Sequence, residues 1–289
     1  MTQVTNPTTT PASSLPGGNG GGGSTVIGIQ GPNRLNGSEG NDIILTFAGA
    51  DVVAGGGGDD LIITGGGNDS IGGGGGNDNI FAGSGADVVA GGSGNDRIFA
   101  GKGDDLVDGG DGDDLVSGDR GNDTVLGGGG NDTVFGGQGN DVVGGGDGND
   151  SLFGGKDNDT VNGGSGNDFI SGDRGSDVLT GGAGSDTFYF ASPAGIDNFG
   201  LDTITDFTPG EDKIRLKSTG GFGSLGSSVD STEFVIDAGF TGSPTPATAN
   251  KLVYNPTSGL LYFNSGNGVQ TIAQLQPGLT ITSNNFELF

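Results

Sequence analysis

Seventeen aspartates stand at a fixed interval of nine residues: Asp42, Asp51, Asp60, Asp69, Asp78, Asp87, Asp96, Asp105, Asp114, Asp123, Asp132, Asp141, Asp150, Asp159, Asp168, Asp177 and Asp186. A carboxylate repeated on so strict a beat is a hard oxygen ligand repeated in space, and its natural counterpart is a hard cation. The chain has neither Cys nor His. That removes disulfides, thiolate sites, the commonest zinc ligand and the usual base of a nucleophilic triad. No HExxH occurs, and no glycine loop stands ahead of a helix pattern to cradle phosphate. The formal net charge of −26 over 289 residues argues against nucleic acid or anionic membrane as partners and for cations. No stretch approaches the roughly 18–20 apolar residues of a membrane span.

The elements that must carry these aspartates share the beat. Two residues after each Asp comes an apolar residue, from Ile44 and Val53 through Ile98 and Val107 to Leu179 and Phe188. Two residues before it comes Gly, except where Asp157 takes that place. Nine residues are too few for a helix pair and suit a loop plus a very short strand. The Gly, Asn and Asp of the loop tolerate positive φ, and the middle of each strand triplet turns one apolar side chain inward. Two units then make one turn. The expected fold is all-β: a right-handed parallel β-roll of two short-stranded sheets with 18 residues per coil, followed by a β-rich C-terminal cap.

Along the chain, residues 1–24 read as a flexible Thr/Pro/Gly-rich leader with neither the basic nor the apolar region of a signal peptide. Residues 25–36 contain an eroded repeat, "GIQGPNRLN", with Asn33 on the Asp beat and Leu35 on the apolar beat. Residues 37–189 are the array. Residues 190–289 read as further strands at "DTITDFTPGEDKIRLKS", "TEFVID", "KLVYNPTSGLLYFNSGNG" and "GLTIT". The beat is read as ending after Phe188.

The array has a strong electrostatic demand. Residues 37–189 hold 27 acidic and five basic side chains, and loops stacked 18 residues apart would set carboxylate against carboxylate. A divalent cation between loops reverses that sign. Calcium accepts six to eight oxygens in flexible geometry, whereas magnesium demands an octahedron and gives up water reluctantly. The ninth position of each unit points outward. On one sheet it reads Leu45, Ile63, Phe81, Phe99, Ser117, Phe135, Phe153, Ser171, Tyr189, an apolar ladder, and on the other it is mostly small or polar. Such a ladder is a candidate surface for a partner or for self-association through Phe81, Phe99, Phe135 and Phe153.

"GGSGNDRIF", "GGGGNDTVF", "GGQGNDVVG" and "GGSGNDFIS" resemble the RTX, or hemolysin-type, calcium-binding nonapeptide of proteins exported by type I secretion. The resemblance implies that the seventeen aspartates share calcium ions in pairs 18 residues apart, 42/60 through 168/186. It also implies that backbone carbonyls of the loops contribute. The loop glycines taken as metal-site residues are Gly58, Gly67, Gly76, Gly85, Gly94, Gly103, Gly112, Gly121, Gly130, Gly139, Gly148, Gly166, Gly175 and Gly184. Up to about 15 calcium ions follow. "DTITDFTPGEDKI" with "LVYNPTSGLLYF" is similar to the segment that ends many RTX exoproteins, which caps the coil and carries an uncleaved secretion signal. "NNFELF", with Glu287, Leu288 and Phe289, fits that signal.

The expected protein is therefore non-enzymatic, secreted and extracellular. It binds calcium, meets the type I machinery during export, and plays a structural or adhesive role at the cell surface or matrix. The alternatives are an exoenzyme with its site in the C-terminal region, using Asp206, Glu211 or Asp212, and an ice or polysaccharide binder working through a repeat face.

Overall fold

The computed structural model describes residues 14–15, 22–191, 200–217, 229, 232–243, 250–264 and 269–288. It divides into two compact units, Met1–Leu152 and Phe153–Phe289. The described residues contain no α-helix.

In the first unit, six-residue strands such as Val52–Gly57, Leu61–Gly66, Ser70–Gly75 and Asn79–Ser84 follow one another at the nine-residue beat. Each is longer than the expected triplet because the first loop residues stay extended and keep the ladder. Successive strands alternate between two parallel sheets, so a strand pairs with those one coil before and after. Ile98 lies between Ile80 and Val116, and Val107 between Val89 and Val125. This is a parallel β-solenoid with 18 residues per coil. Its interior is one aliphatic side chain per strand: Ile44, Val53, Ile62, Ile71, Ile80, Val89, Ile98, Val107, Val116, Val125, Val134 and Val143 are all buried. The eroded repeat takes part, with Leu35 buried in register with Val53. Within the expected leader, Ser14–Leu15 pairs in parallel with Arg34–Asn36.

The outward faces differ from expectation. One sheet does carry the aromatic ladder, with Phe81 40% exposed and stacked on Phe99 at 5.4 Å. The other is not mostly small or polar, because its seventh positions also point out. Val88 and Leu106 are 50% and 47% exposed there. Both sheets of this unit therefore show apolar side chains, and the stripe is not one-sided.

In the second unit the coil continues through Thr160–Ser165, Phe169–Arg174, Val178–Ala183 and Thr187–Phe190. It does not stop after Phe188. Asp202–Ile204 pairs in parallel with Val178–Ala183, and Lys213–Leu216 with Thr187–Phe190. "DTITDFTPGEDKI" is thus two further rungs, one on each sheet, rather than a hairpin. Lys251–Tyr254 and Leu260–Asn264 do form the antiparallel hairpin read from "KLVYNPTSGLLYF". Val269–Gln274 joins that hairpin to Asp202–Ile204. Residues 278–282, read as a strand, form none. A 3₁₀ turn, Ser283–Asn285, follows them and leads into the strand Phe286–Leu288. The Asn285 side chain accepts from the Thr282 amide at 3.0 Å, and this local bond outcompetes the strand propensity of the Thr and Ile there. Phe289 lies outside the described residues.

Candidate metal centre

The coil brings the sequence-predicted aspartates into two files, one along each edge. The first edge, leading onto the aromatic sheet, carries Asp42, Asp60, Asp78, Asp96, Asp114, Asp132 and Asp150 in the first unit. The second edge carries Asp51, Asp69, Asp87, Asp105, Asp123 and Asp141. In the second unit Asp159 and Asp177 share one edge, and Asp168 and Asp186 the other. All seventeen are buried.

Beyond the first rungs, a bond from the aspartate one coil before fixes the carboxylate along its file. The Asp78 amide donates to Asp96 Oδ1 at 2.7 Å, and the Asp96 amide to Asp114 Oδ1 at 2.7 Å. The same bond recurs at 2.8 Å from Asp87 to Asp105 and from Asp159 to Asp177. In return the Asp78 carbonyl accepts from the Arg97 amide at 2.8 Å. Oδ1 is therefore occupied, and Oδ2 is turned inward. At Asp51, Asp60, Asp69, Asp78, Asp87, Asp96, Asp105, Asp114, Asp123, Asp132 and Asp177 this buried Oδ2 has no hydrogen-bond partner. A buried carboxylate oxygen without a donor is costly unless a cation or proton meets it.

On the first edge Oδ2 and a carbonyl of the next coil close in on the first glycine of the loop. A Cβ placed on Gly91 would lie 2.3 Å from Asp96 Oδ2 and 2.3 Å from the Gly109 carbonyl oxygen one coil on, too close for any side chain. On Gly55 it would lie 2.2 Å from Asp60 Oδ2 and 2.4 Å from Gly73 O, and on Gly73 2.3 Å from Asp78 Oδ2 and 2.5 Å from Gly91 O. Carboxylate and carbonyl oxygens, the ligands calcium takes, thus lie near one another beside each such glycine. Among the described residues no three His, Cys, Asp or Glu side chains come together in a metal-holding group. A cation here draws on a carboxylate and on backbone carbonyls, which is the donor chemistry calcium accepts and zinc does not favour. The residues fit the ion.

Burial pushes these carboxyls up, against the pull of their amide bond and with the neighbouring ladder carboxylates adding to the rise. Asp60, Asp87, Asp96 and Asp114 reach about 6, and Asp123 and Asp132 about 7. The first rung behaves differently. Burial also pushes Asp42 upward, but bonds from the Ser24 side chain and amide and from Ser38 outweigh it and hold the carboxyl below its ordinary value.

The glycine at the fourth position of each loop, the one singled out from sequence, sits at positive φ, 117° at Gly94 for example. There the backbone rides directly over the previous coil, since a Cβ on Gly94 would come within 2.1 Å of Gly76 O. Asp157 adopts φ 77° in the same role, so this position does require the left-handed region. Sequence reasoning missed two things. One is the first glycine, where Oδ2 and a carbonyl of the next coil leave no room for a Cβ. The other is that the files run on: the Asp177 amide donates to Asp202 Oδ1 and the Asp186 amide to Asp212 Oδ1, each at 3.0 Å. The signal was present, because Ile204 and Ile214 stand two residues after those aspartates and are buried.

Fold and site together define a parallel β-solenoid built to stack on divalent cations. The model of the RTX calcium-binding nonapeptide repeat matches in overlapping copies from residues 19–46 to 162–192. The chain belongs to that family, and its repeats bind calcium. It is similar to the R3 subunit of a mannuronan C5-epimerase from Azotobacter vinelandii, at 27% identity over 61% of this chain and 78% of that one, with a TM-score of 0.25. It is also similar to an extracellular lipase of Serratia marcescens, at 16% identity over 89% of this chain and 40% of that one, with a TM-score of 0.24. No curated protein sequence matches.

Proposed function

We propose that this chain is an exported, non-catalytic structural or adhesive protein whose coil forms on extracellular calcium. The observation that supports it is the recurrent buried Oδ2 without a protein hydrogen-bond partner, with a carbonyl oxygen of the neighbouring coil close by on the first edge. When bound, calcium supplies positive charge between oxygens that otherwise repel. The chain's own residues do the rest. The amide-to-Oδ1 bond holds each carboxylate in one orientation. The first glycine lets the oxygens of successive loops close in, and the inward aliphatic residue keeps those loops in register. Where calcium is scarce the acidic files repel and the chain is expanded, a state suited to threading a type I channel. At roughly millimolar calcium, loops of the extracellular class fill together.

An active site around Asp206, Glu211 and Asp212 has less support. Asp206 accepts from the Gly181 and Gly182 amides at 2.9 and 2.8 Å, and Asp212 accepts from Asp186 and Thr208. Both carboxylates are engaged by backbone as rungs and caps of the coil. For adhesion, the outward Phe81, Phe99 and Phe135 in one unit and Phe153 in the other offer the apolar contact. Circular dichroism at pH 7.5 tests the switch: strand signal should rise cooperatively as calcium replaces chelator, and an equal signal in both conditions would end the proposal. Export is tested by deleting residues 230–289 in the producing cell, which should keep the protein out of the medium.

A further inference from the structure

The third position of the loop carries a charge pattern that calcium does not explain. Four of the five basic residues in 37–189 stand there, Lys102, Arg120, Lys156 and Arg174, and the fifth is Arg97. In the first unit Lys102 and Arg120 lie in register on neighbouring coils of the second edge, with Gln138 next in line. Coils follow one another at about the 4.8 Å spacing of paired strands. All three side chains are exposed. On the first edge of this unit no basic residue holds the position, and Glu39, Asp111 and Asp147 are found there. Among the described residues neither Lys102 nor Arg120 has an ion-pair partner or a side-chain hydrogen bond. Asp104, in the same loop as Lys102, is taken up by the Asn122 amide at 2.8 Å.

The three side chains line one shallow depression of about 330 Å³, together with Gly83, Gly101 and Asp119. Asp119 is out of place among those glycines. Its partners in register, Gly101 and Gly137, sit at φ 110° and 119°, and Asp119 itself takes φ 69°. That region disfavours any side chain. Ser117 Oγ donates to Asp119 Oδ1 at 2.7 Å and fixes the carboxylate. The same departure recurs in the second unit, where Ser171 donates to Asp173 at 2.7 Å, Asp173 takes φ 64° and Arg174 follows. Backbone strain accepted twice, with the same serine and arginine, points to a use for the carboxylate.

The lining is chemically mixed. Ammonium and guanidinium donate to carboxylates, Gln138 both donates and accepts, and Asp119 accepts from hydroxyls. A bare polyanion has no use for Asp119 and is repelled by it. A sugar acid offers a carboxylate and hydroxyls together, repeated along a chain. The net charge of −26 opposes such a partner until calcium binds. Seventeen of the 27 acidic residues in 37–189 are the buried file aspartates, which calcium neutralises, and ten remain outside the files. We infer that the second edge of the first unit binds an acidic polysaccharide, a chain of uronic-acid sugars laid along the coil, through Lys102, Arg120, Gln138 and Asp119. The inference deepens the adhesive reading and rests on it, because calcium must form the coil before these side chains line up.

Calorimetric titration of the calcium-loaded full chain with oligogalacturonate tests this, with neutral dextran and polyphosphate as comparisons. Oligogalacturonate should bind and dextran should not. K102Q/R120Q should weaken binding at least about tenfold, the loss of charge-assisted hydrogen bonds. Arg97→Gln removes a basic charge that lies off the file and should leave binding unchanged. Asp119→Gly restores the residue that the backbone there favours, and it should also weaken binding, because the hydroxyl acceptor is gone. A folded wild-type chain that does not bind would overturn the inference, and so would an equal loss in Arg97→Gln and K102Q/R120Q. Tighter binding by Asp119→Gly, with polyphosphate bound as well as the sugar acid, would show that charge alone acts and would overturn it too. A wild-type chain without strand signal in calcium would remove the proposed function and this inference together, and circular dichroism separates that outcome from a folded chain that fails to bind.

Discussion

The repeat loops and the C-terminal hairpin hold themselves together by different means. Each nine-residue repeat buries one aliphatic side chain and one aspartate. The strands Lys251–Tyr254 and Leu260–Asn264 bury Leu252, Val253, Tyr254, Leu261, Tyr262 and Phe263 within two short runs. Phe240 packs edge-on to Tyr262 at 5.1 Å beside them. One region has little apolar surface per residue and carboxylates facing inward, and the other is an ordinary hydrophobic core. The stability of the first depends on what meets its carboxylates, whereas that of the second depends on area removed from water. Calcium dependence should therefore be a property of one region and not of the chain as a whole.

The largest expected effect is calcium removal. In excess chelator at pH 7.5, amide exchange across the strands from Val52 to Asp147 should approach unfolded rates, while 251–264 keeps its protection. Simultaneous loss in both regions, or in neither, would break the comparison. Next comes Leu252→Ala. The residue is fully buried, and truncation in such a core costs about 2–5 kcal/mol. Denaturant melting of the hairpin should report that loss with calcium and with chelator alike. Asp96→Ala should do the opposite. It leaves the buried Asp78 amide without its acceptor, at about 1–3 kcal/mol, and removes the carboxylate offered to the ion. Its effect should appear in calcium and vanish in chelator, where the array has no ordered state to lose.

Acid should sharpen the same contrast. Asp60, Asp96, Asp123 and Asp132 sit at about 6 to 7 in the fold, above their ordinary 3.8. A carboxyl raised on folding favours the folded state fully below its unfolded value, and the gain is lost as pH rises through the folded one. In chelator, lowering the pH from 8 to 4 should thus recover part of the strand signal from the array. In calcium the same descent should weaken ion binding as protons compete for Oδ2. An array signal flat with pH in chelator would show that the inward carboxyls are not what opposes folding.

Much of this was legible in the sequence, because a period of nine with Asp and an aliphatic residue at fixed offsets dictates a coil of 18. What escaped has physical causes. Asp202 and Asp212 are true rungs, but they lie 25 and 26 residues after their partners, so the longer spacing hides the beat while D-x-I persists. Thr46 and Thr64 stand where most loops open with Gly. Their consequence appears only when the carbonyl one coil on is seen to receive the hydroxyl. "GLTIT" has strand propensity and buries Ile281, yet it offers no ladder there, because the turn at Ser283–Asn285 claims the backbone.

The smallest expected effect concerns the outward aromatics. Phe81 and Phe99 stack with ring planes 8° apart, and Ser117 follows Phe99 in register. An exposed stacked pair of this kind is worth about 0.5–1.5 kcal/mol beyond its buried area. Phe99→Ser in saturating calcium should therefore lower array stability by far less than Leu252→Ala lowers that of the hairpin. The ion count should not change, since the ring lies on the outer face and the aspartates on the edges. If the face is adhesive, Phe99→Ser should also reduce retention on an apolar surface at unchanged folding. Should the two substitutions cost the same, the stripe is packed against something as the hairpin core is, and the division between an ion-held array with bare faces and a core-held hairpin would have to be redrawn.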